Sequence, residues 1–156
     1  MSDNTTDFDV IIIGGGPSGA TAAHEIAIAG HRVLLLERAF RIKPCGGAIP
    51  PCLLGEFDIP RSLLKAEIQS ARMISPKEQK VDMPIDGTFV GMVDRDEFDP
   101  WLRQRAQHAG AELEIAAFKK LEYLDSNTIA VTYITKDADT ETKTATARCV
   151  LGADGA

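Results

Sequence analysis

Residues 7–30 read DFDVIIIGGGPSGATAAHEIAIAG, and this stretch decides the fold. An apolar run at residues 10–13 enters Gly14-Gly15-Gly16-Pro17-Ser18-Gly19, and an alanine-rich segment follows. A second apolar run, residues 33–36, then ends on Glu37. Strand, glycine turn, helix, strand and terminal acid in that order form the dinucleotide-binding fingerprint G-x-G-x-x-G. Gly14 permits the tight turn, Gly16 lets the backbone approach a pyrophosphate, and Gly19 lets helix and strand pack closely. The helix N-terminus, where Ser18 stands, supplies free N–H groups and the positive end of the helix dipole. Glu37 is placed to accept hydrogen bonds from the ribose hydroxyls of an adenosine. The competing account is a glycine-rich turn in some other α/β protein. Three glycines in an apolar setting cost conformational entropy that a plain turn does not require.

The composition sets the frame. A chain of 156 residues can form one domain with a real core, and 44% hydrophobic with 26% charged residues is ordinary for a globular protein. With a net charge of −6 and no run of lysine or arginine, the chain is a poor nucleic-acid binder. No apolar stretch approaches bilayer length. The polar, acidic start MSDNTTDFD is unlike a signal or transit peptide. Residues 1–6 read as a disordered tail, and 7–156 as the domain. Cys45, Cys52 and Cys149 suit a reducing, cytoplasmic compartment rather than a disulfide framework. Cys52 and Cys149 read as buried small apolar residues. His24, His31 and His108 are scattered and define no metal site.

Along the chain, strands are predicted at 8–13 and 32–36 around a helix at 17–29 stopped by Gly30. Both strands are buried parallel strands. Residues 38–60 form a long loop rich in Pro and Gly. Segments 71–75, 80–85 and 88–93 have β character and read as an antiparallel insertion. A helix covers about 96–109, with Phe98, Trp101, Leu102, Ala106 and Ala109 on its apolar face. Two starts compete. Asp94 with Glu97 resembles a capping box, whereas Asp99 as N-cap with Pro100 at the first helical position is locally cleaner. Gly110 ends the helix. Strands follow at 111–116, 119–125, 128–135 and 144–151, with a turn at 125–127 and a charged hairpin tip at 136–142. The last strand runs into Gly152-Ala153-Asp154-Gly155.

The fingerprint, the Glu37-Arg38 pair and the Gly-Ala-Asp-Gly segment together resemble the FAD-dependent enzymes of the p-hydroxybenzoate hydroxylase fold. Within that group the chain is most similar to the geranylgeranyl reductases of chlorophyll and bacteriochlorophyll synthesis. Residues 41–51 (RIKPCGGAIPP), 71–76 (ARMISP), 81–85 (VDMPI) and 90–95 (VGMVDR) carry that resemblance. It implies a Rossmann-like FAD-binding βαβ unit with an antiparallel β insertion. Residues 61–93 would begin a substrate domain, and the chain would be the N-terminal part of a longer enzyme. The family's later Gly-Asp segment, which holds the ribityl chain, does not occur in these residues.

The resemblance also implies roles. Arg38 would sit by the adenosine and Arg95 would reach the flavin from the start of its helix. Cys45, Gly46 and Gly47 would lie close to the isoalloxazine ring, and Asp154 would lie where FAD and nicotinamide meet. Arg41 and Lys43 are candidates for steering a phosphate, with exposed loop charge the blander account. NADPH would reduce FAD, and hydride transfer to one alkene carbon would be matched by a proton from Cys45 or an ordered water. Cys45 has an equally simple reading as a small residue in a tight turn. The substrate would be geranylgeranyl diphosphate or a geranylgeranylated pigment, with peripheral association to a photosynthetic membrane. Two alternatives stand beside this reading: a flavin monooxygenase of the same fold, and an FAD-binding fragment without turnover.

Overall fold

The computed structural model describes residues 6–39, 45–136 and 140–155. The chain divides into two compact units, one of residues 1–41 with 99–156 and the other of residues 42–98.

The first unit is built on β1 (Phe8–Ile13), α1 (Pro17–Ile28) and β2 (Val33–Glu37). β1 pairs in parallel with β2, Val10 opposite Val33 and Ile13 opposite Leu36. Val33, Leu34, Leu35 and Leu36 are all buried, as expected of a parallel strand covered on both faces. α1 turns Gly19, Ala20, Ala23 and Ala27 inward. Residues this small bring the helix axis close to the sheet. The helix stops at Ala29, and Gly30 takes φ +88 while its N–H donates to the Ala27 carbonyl. This is the left-handed stop that glycine permits. Thr6, placed with the tail from sequence, is buried; its hydroxyl donates to the Phe8 carbonyl at 2.6 Å and its own carbonyl accepts from Arg32.

Three later strands complete this unit: β8 (Glu112–Tyr123), β9 (Ile129–Thr135) and β10 (Thr142–Gly152). The sequence predicted two strands at 111–116 and 119–125, and the structure has one. β8 pairs in parallel with β2 over residues 112–115 and antiparallel with β9 over residues 116–123, with a register shift between Phe118 and Lys120. The gap left between the two predicted strands falls next to this shift inside one long strand. β10 does the same in reverse, antiparallel to β9 over residues 142–147 and parallel to β1 as far as Gly152. Because β8 and β10 each pair in parallel at one end and with β9 in antiparallel at the other, the hydrogen bonding closes in the order β1-β10-β9-β8-β2. Ile11, Leu34, Leu36, Ala116, Val131, Tyr133, Ala145 and Ala147 fill the space enclosed. Burial pushes the Tyr133 phenol well above its ordinary range, aided by its hydrogen bond to Glu114, which also receives Lys143 Nζ at 2.7 Å. The turn at 125–127 is an Asx turn, Asn127 N–H donating to Asp125 Oδ1 at 2.7 Å. The 136–142 hairpin tip falls partly on residues outside those described.

The second unit holds β3 (Ala48–Ile49), α2 (Cys52–Glu56), β4 (Leu64–Ile68), β5 (Ser70–Ile74), β6 (Lys80–Pro84) and β7 (Val90–Val93). β7 lies between β3 and β4, and β5 with β6 makes a separate hairpin. The antiparallel character read at 71–93 holds. The short elements within the predicted loop were not expected, since two-residue strands and one-turn helices carry no periodic signal; nor was β4, which is exposed along four of its five residues and so lacks a buried face. Cys52 opens α2 and Cys149 lies on β10; both are exposed, contrary to expectation. Alternation along β10 puts Cys149 on the same side as Ala145 and Ala147, but burial on that side ends at Ala147.

α3 (Arg95–His108) links the units. It begins ahead of Asp99: the Asp94 carbonyl accepts the N–H groups of Glu97 at 3.2 Å and Phe98 at 2.8 Å, and Pro100 lies inside the helix. The locally cleaner start at Asp99 is therefore wrong. Phe98 and Leu102 are both buried, and residues four apart share a helical face only if the helix starts before Phe98. That burial outweighs the bond Pro100 cannot donate. Glu97 does not close a capping box; its carboxylate accepts from Lys65 Nζ at 2.7 and 2.6 Å. Trp101 and Ala109 are half-buried rather than core. No helix among the described residues is long and apolar enough to cross a membrane.

Candidate functional site

The loop from β1 to α1 is held by its own backbone. Gly14 N–H donates to the Leu36 carbonyl at 2.8 Å, and Ala153 N–H donates to the Ile13 carbonyl at 2.7 Å. Gly14 takes φ +106, and a Cβ there would lie 2.4 Å from the Ala153 carbonyl oxygen. A Cβ on Gly19 would lie 1.8 Å from the Gly14 oxygen. Both positions demand glycine because protein backbone occupies the space. Gly16 is different: a Cβ there would meet no protein atom within 4 Å, and its φ of −73 suits any residue. The protein itself gives no reason for glycine at 16: the ground above it is open.

α1 starts at this open ground. Its N-cap, Gly16, makes no side-chain cap hydrogen bond, Pro17 occupies the first position, and the first turn holds no acid. An uncapped N-terminus of this kind leaves backbone N–H groups, Ser18 and Gly19 among them, for an anion from outside the helix. Ser18 is exposed.

Glu37, at the end of β2, is half-buried and directed at the loop. Oε2 accepts Gly15 N–H at 2.8 Å and Oε1 accepts Ala39 N–H at 3.0 Å. An ionised carboxylate offers about four acceptor positions, so room remains for further donors. Arg38 is exposed just beyond the strand. Asp154 is exposed on the segment that packs against Gly14. The structure thus brings Gly14, Gly16, Ser18, Gly19, Glu37 and the Gly152–Gly155 turn to one end of the parallel strands.

Sequence reading missed Arg103 here. This α3 residue is 7% exposed, and its Nη1 donates to the Gly15 carbonyl at 3.0 Å. Burial pulls its guanidinium below the ordinary arginine range, opposed by the charges of Asp99 and Glu37. No feature of the sequence singles it out, because its partner is a backbone carbonyl; Asp99, one helical turn earlier, is also buried.

Cys45, Gly46, Gly47 and Arg95 belong to the second unit. Gly47 has φ +70, and a Cβ there would lie 2.0 Å from the Val93 oxygen; Val93 N–H donates to the Gly47 carbonyl at 2.9 Å. The Cys-Gly-Gly turn is therefore pinned beside the β7–α3 junction, two residues before half-buried Arg95. Gly46 has open space around it and Cys45 is exposed. Arg41 and Lys43 lie outside the described residues. A cleft of about 460 Å³ lies on the helix side of the first unit, lined by His24, Ile28, Trp101, Arg105 and His108 among others. It shares no residue with the glycine loop. Among the described residues no group of three or more His, Cys, Asp or Glu is placed to hold a metal.

Residues 9–122 match the family model of FAD dependent oxidoreductases. The chain is 54% identical to the geranylgeranyl diphosphate reductase of Rhodobacter capsulatus over 96% of its own length and 38% of that relative's. It is 36% identical to digeranylgeranylglycerophospholipid reductase 1 of Methanopyrus kandleri over 96% of this chain and 40% of that one. Among solved structures, a geranylgeranyl bacteriochlorophyll reductase-like protein from Thermoplasma acidophilum superposes with a TM-score of 0.81 at 28% identity, covering 95% of this chain and 39% of that one. The chain spans about two fifths of the length of these relatives. A glycine loop shaped by its neighbours at Gly14 and Gly19 but open at Gly16 agrees with those matches: the chain belongs to the FAD-dependent oxidoreductases and groups there with the geranylgeranyl reductases.

Proposed function

We propose that this chain binds FAD through the β1–α1 loop, as part of an NADPH-dependent reductase that saturates C=C bonds of a geranylgeranyl group. The observation that supports it most is the open ground over Gly16 beside an uncapped helix N-terminus. The geranylgeranyl chain is the element shared by the names of the relatives. Geranylgeranyl diphosphate or a geranylgeranylated pigment is the proposed substrate, in chlorophyll or bacteriochlorophyll synthesis. The proposed setting is cytoplasmic, with peripheral contact to a photosynthetic membrane.

In this reading Gly16, Ser18 and Gly19 present backbone N–H groups to the pyrophosphate, and Glu37 accepts the ribose hydroxyls, with Arg38 beside the adenosine. Gly46, Gly47, Arg95 and Asp154 are the proposed contacts nearer the flavin. Bound there, FAD would supply hydride transfer between NADPH and an alkene. Reduction of C=C needs a hydride on one carbon and a proton on the other. Cys45 is the proposed holder of that proton, an exposed thiol on a turn fixed by Gly47.

The test is anaerobic mixing of the NADPH-reduced flavoprotein with geranylgeranyl diphosphate, with mass detection of the product. Gain of two hydrogens per double bond supports the reading. Hydroxylated product formed only with oxygen would mark a monooxygenase, and flavin binding with neither product would mark a binding fragment.

A further inference from the structure

We propose that Arg103 is the positioning residue of the dinucleotide loop, fixing the Gly15–Gly16 peptide so that Gly16 N–H faces the pyrophosphate. This rests on the FAD-binding reading of the loop and adds a residue 88 positions away in sequence.

The argument starts from peptide geometry. In a planar trans peptide the carbonyl of one residue and the N–H of the next point in opposite directions. Arg103 Nη1 holds the Gly15 carbonyl from the α3 side at 3.0 Å. The Gly16 N–H of the same peptide is thereby turned the other way. Gly15 has no freedom to swing back: its own N–H is bound to Glu37 Oε2 at 2.8 Å. A Cβ at Gly15 would meet Glu37 Cβ at 3.0 Å and Arg103 Cδ at 3.2 Å, so these two side chains fill the ground beneath the residue. Glycine peptides flip easily, since both signs of φ are open to them. A run of three glycines needs an outside anchor, and a buried guanidinium supplies one that is short, directional and always charged. Asp99, buried one helical turn before Arg103, and Glu37 across the loop balance its charge. The same guanidinium therefore ties together the loop that would take the pyrophosphate and the acid that would take the ribose.

The test uses the whole chain with Arg103→Gln, Arg103→Lys and Gly16→Val. Two quantities are measured: the FAD dissociation constant, and the amide ¹⁵N–¹H resonance of Gly16 in ligand-free protein, which loss of overall stability alone does not move below the unfolding transition. Arg103→Gln is expected to shift the Gly16 resonance and weaken FAD binding roughly 10- to 100-fold, the worth of one charge-assisted hydrogen bond. Arg103→Lys, which keeps a charged donor without the fork, is expected to fall between Gln and the parent. A Gln variant with parental Gly16 resonance and parental FAD affinity overturns the proposal, even if its unfolding temperature drops. A Gly16→Val chain that binds FAD like the parent overturns the loop reading itself. The two failures are thus distinguishable.

Discussion

Three glycines of one motif are expected to respond in opposite ways to substitution. At Gly14 a side chain must adopt φ +106 and place its Cβ 2.4 Å from the Ala153 oxygen. The left-handed backbone costs about 1–2 kcal/mol and the overlap about 1–3, so Gly14→Ala should destabilise by about 2–5 kcal/mol. For a chain of this size that is a fall in Tm of about 5–20 °C. Gly19→Ala, with its Cβ 1.8 Å from the Gly14 oxygen, belongs in the same class. Gly16→Val meets no protein atom and sits at an ordinary φ, so its Tm should stay within a few degrees of the parent, the shift of about 1 kcal/mol or less. Its effect falls on the ligand. Displacing a pyrophosphate from two charge-assisted N–H bonds, at about 1.5–3 kcal/mol each, weakens FAD binding by about 10²–10⁴-fold. Thermal unfolding without ligand and fluorescence titration with FAD separate the two effects. If Gly16→Val loses as much stability as Gly14→Ala, the ground over Gly16 is not open and the reasoning fails.

Other expectations follow from single groups. Glu37→Ala should weaken FAD binding by about 1–3 kcal/mol, measured by the same titration; an unchanged Kd removes Glu37 from the ribose. All three cysteines should react with a thiol reagent under native conditions, since all are exposed; fewer than three reacting would contradict the placement of at least one of them. The Arg32 side chain, then its backbone N–H, lower the Asp9 carboxyl from 3.8 to about 2. A folded value below the unfolded one means stability that is fully present above pH 3.8 and lost as pH falls through about 2, so Asp9→Asn should flatten the acid limb of a Tm–pH profile in that window. In a form competent for turnover, Cys45→Ala should leave flavin reduction by NADPH intact and slow its reoxidation by the alkene substrate by about 10²–10⁴-fold in anaerobic stopped flow. An Ala variant as fast as the parent would take Cys45 out of the mechanism.

The βαβ core was legible because its signals are local. Buried parallel strands make continuous apolar runs, and the glycines at 14, 16 and 19 and the acid at 37 sit at fixed offsets from them. What escaped was non-local. β8 and β10 each change partners partway along, so one strand carries two patterns of inside and outside, and β8 read as two strands. The α3 start turned on whether burying Phe98 outweighs the bond lost at Pro100, a comparison that needs the tertiary neighbours. Arg103 was invisible for the same reason. Its partner, the Gly15 carbonyl, is a backbone group with no sequence signature. Cys149 was misplaced because its side of β10 is covered at Ala145 and Ala147 but not beyond, and where that cover ends depends on tertiary neighbours.

The central claim is that the β1–α1 loop is an FAD pyrophosphate site, and amide-resolved titration of the chain with FAD tests it most directly. The account predicts saturable shifts at Gly16, Ser18 and Gly19 together with Glu37, and their loss in Gly16→Val while the remaining spectrum stays folded. Saturable FAD binding that leaves those amides unmoved and persists in Gly16→Val would contradict it.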